Sequence, residues 1–382
     1  MRAIIIGGGV AGVAGAIALR RLGCEVTVYE AYPDPAGQVG SFLSLAVNGL
    51  RGLETLGCLE DVRQAGIDVP RQHMWSSSGR LLGDVPRGRL SGDPMHSVTL
   101  ARGHLVEVLR DHAVRAGAEL VTGERLTGAV TTATGVRAEF ASGRTDDADL
   151  LVGADGIWSR TRTVLDPNAP APEYAGLFSV SGVADMPAGL TVTPGTFNMT
   201  FARNGAFIHV PAPNGALWWS AQVASPDEPD LNAVADWIPE LTELYRHEKS
   251  ATAILESTVE VHRPTLMHKL AAVPTWHNDR VVLLGDAGHP VGAGQGASMA
   301  IEDALVLARS LAAVRDIPQA LADYAQTRRT RIAKMVKAAS DNRDAKTAGP
   351  IERRINDLVM PVFFRHFYER ATGWLYNQPT PA

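Results

Sequence analysis

Three glycine-bearing segments carry residue types suited to holding a phosphorylated cofactor. The first, Gly7-Gly8-Gly9-Val10-Ala11-Gly12, follows the apolar run 2–6 and opens the small-residue run 11–22, which has helical spacing; Glu30 stands at the end of the next apolar run, 25–29. In a Gly-x-Gly-x-x-Gly turn between strand and helix, the first glycine permits a tight bend, the second lets the backbone approach a pyrophosphate, and the third brings helix and strand together. An acid at Glu30 accepts hydrogen bonds from ribose hydroxyls and argues against a 2′-phosphate. FAD and NAD satisfy this pattern equally.

The second segment is Gly285-Asp286-Ala287-Gly288-His289-Pro290-Val291-Gly292-Ala293-Gly294-Gln295-Gly296, between the apolar run 281–284 and a helical pattern through Ala300, Ile301, Ala304 and Leu305. It sets an acid at the end of a buried strand and a glycine-rich loop at the start of a helix. There, exposed N–H groups and the helix dipole favour an anion. The third, Asp155-Gly156-Ile157-Trp158-Ser159-Arg160-Thr161-Arg162, follows the short apolar run 150–152. Taken alone it reads equally well as a strand-to-helix connection capped by Asp or Ser.

The elements that position these segments alternate in the manner of a βαβ unit: strand 2–6, helix 11–22, strand 25–29, then helices at 46–56 and 104–116 and strands at 119–121, 136–140 and 150–152. After Thr163 the character changes. Pro167, Pro170 and Pro172 mark a linker-like stretch, and alternating runs 197–202, 206–210 and 217–223, joined by Asn204-Gly205 and Asn214-Gly215, predict an antiparallel sheet. Helical spacing covers 230–247, a strand 259–263, and the remainder is helical: 301–313, 317–345 and an aromatic-rich end. A chain of 382 residues exceeds a single core, so a nucleotide-binding domain interrupted by a mainly antiparallel insertion is the expected organisation.

Composition narrows the function classes. A net charge of −5 gives no footprint for nucleic acid. Cys24 and Cys58 offer neither a disulfide framework nor metal-ligand spacing, and a reducing, cytoplasmic setting is expected, with no metal. The apolar start of the chain mimics a signal peptide, but its glycines and its direct continuation into a strand argue otherwise. No run reaches the ~20 apolar residues of a membrane span.

In order and separation, the three motifs resemble those of the class A flavoprotein monooxygenases, the para-hydroxybenzoate hydroxylase-like family, over roughly residues 1–345. Arg102, in Leu100-Ala101-Arg102-Gly103-His104-Leu105, looks like the family arginine on the flavin nucleotide. The resemblance implies an α/β fold with a discontinuous Rossmann-like FAD-binding domain (1–70, 100–168, 264–345). It also implies an inserted, mainly antiparallel substrate-binding domain (71–99, 169–263) and a C-terminal helical segment (346–382). It assigns Gly7, Gly9, Val10, Ala11, Gly12 and Glu30 to the ADP half of FAD, Arg102 to its linker, and Asp286 to the ribityl and pyrophosphate region. Asp155 and Gly156 go near the pyrophosphate and a transient NADH or NADPH. Gly294, Gln295, Gly296 and Ala297, at a helix start, go to the isoalloxazine edge. One departure stands out: the turn from His289 to Gly294 is shorter than the family pattern.

The activity implied is NAD(P)H- and O2-dependent hydroxylation or epoxidation by a flavin C4a-hydroperoxide, with no fixed protein nucleophile. On the strand-rich part of 169–263 Arg203 is the only cation, which favours a larger, mostly apolar aromatic or polycyclic substrate, as in natural-product tailoring. Arg203, His209, Trp219 and Pro290 are the candidate substrate contacts; for His209 and for the pair Trp218-Trp219 alternation turns one of each pair toward the flavin. His289 is expected to be structural, Arg328, Arg329 and Arg331 a solvated helix face, and the aromatic end an amphipathic helix packed on a monomer or homodimer. The alternatives are a flavin reductase or dehydrogenase acting on an isoprenoid-like substrate without oxygen insertion, and a flavin-binding protein without turnover. The Trp-x-Trp-x-Ile-Pro signature of the halogenases does not occur.

Overall fold

Five parallel strands form the sheet that carries the glycine motifs, in the order Val281–Leu283, Leu150–Gly153, Arg2–Ile6, Glu25–Glu30, Glu119–Thr122. They come from three separated stretches of chain. The structure is a computed structural model that describes all residues except 35–41, 133, 213, 292–293, 347–349 and 377–382, and of 338–346, 350, 351, 353 and 354 the backbone only. Near-continuous apolar strands are buried on both faces, as parallel sheets require. Ala3 and Ile5 join a core formed with the helices Val10–Arg21 and Gly296–Ala313, whereas Ile4 and Ile6 pack with Tyr29, Phe140 and Leu151. That second face is covered by the antiparallel strands Leu126–Thr131, Val136–Phe140 and Thr145–Ala148.

An eight-stranded sheet takes up most of the middle of the chain: Thr258–Val261, Glu173–Ala184, Leu217–Ala224, Gly205–Pro211, Thr196–Ala202, Arg71–Ser76 and Leu81–Pro86, with Thr265–Lys269 also on Glu173–Ala184. All its pairs are antiparallel except Thr196–Ala202 with Arg71–Ser76. Its outer face packs under the helices Trp237–Leu244 and Lys249–Glu256. On the other face Met74, Leu82, Phe197, Met199, Ile208 and Val210 cluster with Met360 and Phe364 of the helix Pro350–His366.

Several elements differ from expectation. Past the proline stretch runs a 12-residue strand, Glu173–Ala184, whose polar positions Ser179 and Ser181 alternate with Phe178 and Val180. Residues 230–236 are not helical: Asp236 accepts from the Ile238 N–H and starts the helix only at Trp237. The C-terminal helix packs on the body, but Ile355, Leu358, Val359 and Val362 on its far side stay exposed. Arg328 and Arg331 are buried rather than solvated. Arg328 meets Asp303 at 2.6 Å and Glu302 at 2.7 Å, and Arg331 holds Glu302 through two contacts of 2.7 Å. Only Arg329 of that cluster is exposed, with its guanidinium over the Trp276 ring. Among the described residues no helix is long and apolar enough to cross a membrane, and no His, Cys, Asp and Glu group is arranged to hold a metal ion.

Candidate active site

A cleft of about 370 Å³ lies where the C-terminal ends of the parallel strands meet the eight-stranded sheet. Its first wall is the turn after Arg2–Ile6. Gly7 has φ +106°, and a Cβ there would stand 2.4 Å from the Ala154 carbonyl oxygen; one on Gly12 would stand 1.9 Å from the Gly7 oxygen. These two glycines are demanded by backbone packing. Gly9 is different, because a Cβ there would meet nothing within 4 Å, and Gly9, Val10 and Ala11 line the cleft. Gly9 caps the helix Val10–Arg21 without a side-chain bond, which leaves first-turn N–H groups for an incoming anion. Beside them Glu30 is buried, with Oε2 accepting from the Gly8 N–H at 2.7 Å and Oε1 from the Tyr32 N–H at 2.9 Å. The cradle fits a dinucleotide pyrophosphate.

The opposite wall is the second segment, which begins at Gly285. Gly285 takes φ +57° and donates its N–H to Asp303 at 2.9 Å, which fixes the turn Gly285–Ala287. Asp286 lines the cleft half-buried. Burial pushes its carboxyl up, and the charges of His289 and Arg102 pull it down. Gln295 caps the helix Gly296–Ala313 with no side-chain bond and no acid in the first turn, while its amide oxygen lies 3.5 Å from Asn48 Nδ2. Gly294, Gly296 and Ala297 line the cleft. A second helix N-terminus therefore opens on the same space, with Arg102 exposed at the start of Arg102–Arg115. Of the shortened turn, Gly292 and Ala293 lie outside the described residues; Pro290 is half-buried and is not among the cleft-lining residues. His289 is buried with Nε2 2.7 Å from Asp303 and its ring against Trp276.

In the third segment Asp155 bonds inward. It accepts from the Ser159 hydroxyl at 2.5 Å and from the Thr161 N–H at 2.9 Å, and Ser159 in turn accepts from the Arg162 N–H to cap the helix Arg160–Leu165. Burial pushes the Asp155 carboxyl up against these bonds. The cleft is lined instead by its neighbours Ala154 and Gly156. Arg162 ties the motifs together by donating to the carbonyls of Ile157 at 2.8 Å and Ala287 at 3.0 Å.

None of the four candidate substrate contacts lines the cleft, and for His209 and Trp219 the reason is sheet register. Asn198, His209, Trp219 and Gly182 stand side by side on the outer face, and the adjacent row Met199, Ile208, Ser220 and Ser181 lies on the other face, where Ser181 lines the cleft. Trp219 is fully buried over Gly182 and stacked on Phe207. Its neighbour Trp218 has the inward position, its ring 6.0 Å from that of Phe42. His209 lines a separate cavity of about 340 Å³ on the outer face, and burial pushes its imidazole down to about 4. Arg203 is exposed at the hairpin turn. Cleft residues that the motifs did not point to are Phe42, Leu43, Ser44, Ser179, Ser181, Arg263 and Thr265. The Ser-Val-Ser alternation at 179–181 is the one signal that would have found any of them.

Two substitutions separate structural from site roles. Gly9→Ala should leave the urea unfolding midpoint unchanged while weakening FAD binding by about tenfold or more, or ~1.4 kcal/mol, because the new methyl enters free space on the cradle. Unchanged FAD affinity would remove Gly9 from the site. Trp219→Ala should cost about 3–5 kcal/mol of unfolding free energy, and Trp218→Ala under half of that, since only Trp219 is fully enclosed. Equal losses in urea titrations would contradict the assignment of faces.

Known proteins can be set beside this geometry. Residues 1–339 match the family described as FAD binding domain. Aurachin C monooxygenase/isomerase of Stigmatella aurantiaca is 32% identical over 339 residues, covering 85% of this chain and 84% of that protein. The 3-hydroxybenzoate 6-hydroxylase 1 of Aquipseudomonas alcaligenes is 29% identical over 402 residues, covering 99% and 98%. In fold, the chain resembles the crystal structure of Klebsiella pneumoniae HpxO complexed with FAD and uric acid, with a TM-score of 0.82 at 24% identity over 99% of this chain and 96% of that one.

Proposed function

The chain belongs to the FAD binding domain family, among FAD-dependent hydroxylases of the class A flavoprotein monooxygenase type, and from that membership we propose that it uses NADH or NADPH and O2 to hydroxylate or epoxidise an electron-rich, mostly apolar aromatic or polycyclic substrate. Bound FAD would supply hydride acceptance and oxygen activation, with one oxygen atom going to the substrate and the other to water. The residues of the chain bind, orient and exclude water. The turn Gly7–Gly12 and the first N–H groups of Val10–Arg21 hold the pyrophosphate, with Glu30 beside the ribose and Arg102 and Asp286 along the linker. At Gly294–Gly296 the helix dipole favours negative charge on the ring edge. The sheet face, which reaches the cleft at Ser179, Ser181 and Thr265 and continues into the apolar row of Phe197, Met199, Ile208 and Val210, would give an aromatic substrate its wall and help to keep water from the reacting atoms.

The observation that carries this reading is the pair of helix N-termini, each without a side-chain cap bond, opening on one cleft whose remaining wall is a sheet face. Incubation of the FAD-loaded protein with NAD(P)H, 18O2 and a panel of phenols and hydroxybenzoates tests it. Substrate-stimulated NAD(P)H oxidation with 18O in the product is expected. Reduced product without label would make the protein a reductase, and no stimulation by any aromatic would overturn the proposal.

A further inference from the structure

The second cavity, of about 340 Å³, opens on the outer face of the eight-stranded sheet, away from the cleft. Its floor is the row Trp75, Thr200, Asn198 and His209, and its rim joins the turn after Arg71–Ser76 to the start of the helix Lys249–Glu256. His209 is only 5% exposed, and its Nδ1 has no hydrogen-bond partner among the described residues. Its neighbour Asn198 is satisfied: Oδ1 accepts from the Trp75 indole N–H at 3.1 Å, and Nδ2 donates to Thr196 Oγ1 at 3.2 Å. Burial holds the His209 imidazole down to about 4, so at neutral pH the ring is uncharged and offers one donor and one acceptor. A buried ring nitrogen without a bond is costly unless a ligand supplies one.

The helix Lys249–Glu256 supplies the other half of the site. Glu248 at its N-cap makes no side-chain cap bond, and its first turn holds no acid. The first bond of the helix runs from the Thr252 N–H to the Glu248 carbonyl at 3.0 Å, which leaves the N–H groups of Lys249, Ser250 and Ala251 at the positive end of the dipole. All three residues line the cavity, and the side chains of Lys249 and Ser250 are exposed. On the sheet side Ser77 and Thr200 add hydroxyls, whereas Ser76 Oγ is already engaged by the Arg80 N–H at 3.0 Å and the Ser78 hydroxyl at 2.9 Å. Donors gathered at a helix start beside an ammonium suit the oxygens of a phosphate.

We infer that this cavity is a second ligand site that binds a nucleoside monophosphate, with the phosphate on the first turn of Lys249–Glu256 and the base and sugar over His209 and Trp75. Three features select that ligand over a bare anion. The space lies at the lower end of the range of small-molecule sites, roughly 300–1,000 Å³, and a free phosphate fills little of it. Trp75 gives a base an aromatic wall, and the uncharged His209 ring can bond a heteroatom of the base without a counter-charge. Glu248, the one acid among the lining residues, opposes a bare anion but favours a ligand that brings sugar hydroxyls; one of its oxygens accepts from the Arg203 N–H at 2.9 Å. The site goes beyond the hydroxylase reading and does not depend on it. Nor is its nucleotide the hydride donor, because a nicotinamide held here would have the sheet between it and the cleft.

Calorimetric titration of the protein with AMP, adenosine and inorganic phosphate, in excess FAD so that AMP is kept out of the Gly7–Gly12 cradle, tests the inference. Wild type should bind AMP at least about tenfold more tightly than either fragment. Ser250→Glu should weaken AMP by about tenfold or more and leave adenosine nearly unchanged, because the new carboxylate meets only the phosphate. An acid in the first turn suits the helix dipole, so this variant should melt no lower than wild type. His209→Phe should weaken AMP and adenosine alike, and in wild type the His209 ring signals should shift in NMR spectra on saturation with AMP. No binding of AMP by wild type, phosphate or adenosine bound as tightly as AMP, or unmoved His209 signals overturns the inference. So does an AMP affinity that survives in Ser250→Glu, which would put the phosphate elsewhere, or one that survives in His209→Phe.

Discussion

Gly12→Ala is expected to abolish the flavin-loaded fold, with little soluble protein and no bound-flavin absorbance after gel filtration. The added Cβ would stand 1.9 Å from the carbonyl oxygen of Gly7, so the collision is backbone against backbone and no rotamer relieves it. Gly7 cannot retreat, because its own Cα side faces the Ala154 oxygen at a Cβ distance of 2.4 Å. Relief requires the helix Val10–Arg21 to lift from the sheet, and buried Val13, Ala14, Ile17 and Leu19 would lose their packing. Clashes of this kind stand at the severe end of single substitutions, roughly 4 kcal/mol or more. Gly9→Ala, three residues away, serves as the control: same residue change, same turn, open space. A Gly12→Ala protein that purifies with stoichiometric FAD and an unaltered urea midpoint would falsify the claim that helix-to-strand contact dictates this glycine.

How far the sequence reveals this molecule follows from which signals are local. The turn at Gly7–Gly12, the acid at Glu30 and the loop before Gly296 are local, since each needs only its own strand and helix to be read. Phase within a sheet is not. Alternation shows that Trp218 and Trp219 face opposite ways, but which of them faces the cleft is set by pairing with Gly182 and His209, partners distant in the chain. Long-range charge is hidden for the same reason. Arg328 and Arg331 look like a solvated helix face until Glu302 and Asp303 of the preceding helix are packed against them. The Asp155 segment, by contrast, was ambiguous between cap and site, and its bonds to Ser159 and Thr161 show the cap while Gly156 alone reaches the cleft.

Asp303→Asn should be the most damaging change among the buried charges, costing about 3–5 kcal/mol of unfolding free energy at pH 7. The side chain is fully buried and all its contacts use the ionised form: Oδ1 accepts from Arg328 at 2.6 Å, and Oδ2 accepts from the Gly285 N–H at 2.9 Å and lies 2.7 Å from His289 Nε2. An amide must turn an NH2 toward one set of donors and leaves Arg328 with Glu302 alone. Burial by itself would push the Asp303 carboxyl up, but the charges of His289 and Arg328 and its hydrogen bonds outweigh that and hold it below the usual carboxylate range. Glu302 is held down in the same sense, against its own burial, by Arg331 and Arg328. A carboxylate with a depressed folded pKa contributes stability that is complete above its unfolded value, about 4, and is lost as pH falls through the folded one. The gap between wild type and Asp303→Asn should therefore be widest near neutrality and close as pH drops below about 4. Urea titrations from pH 7 downward check this, and a gap under ~1 kcal/mol at pH 7, or one that ignores pH, would refute it. The loss should reach the site as well, because the Gly285 N–H that Asp303 holds fixes the turn carrying Asp286. Bound flavin should be released from this variant at lower urea than from wild type, ahead of global unfolding, if that turn opens first.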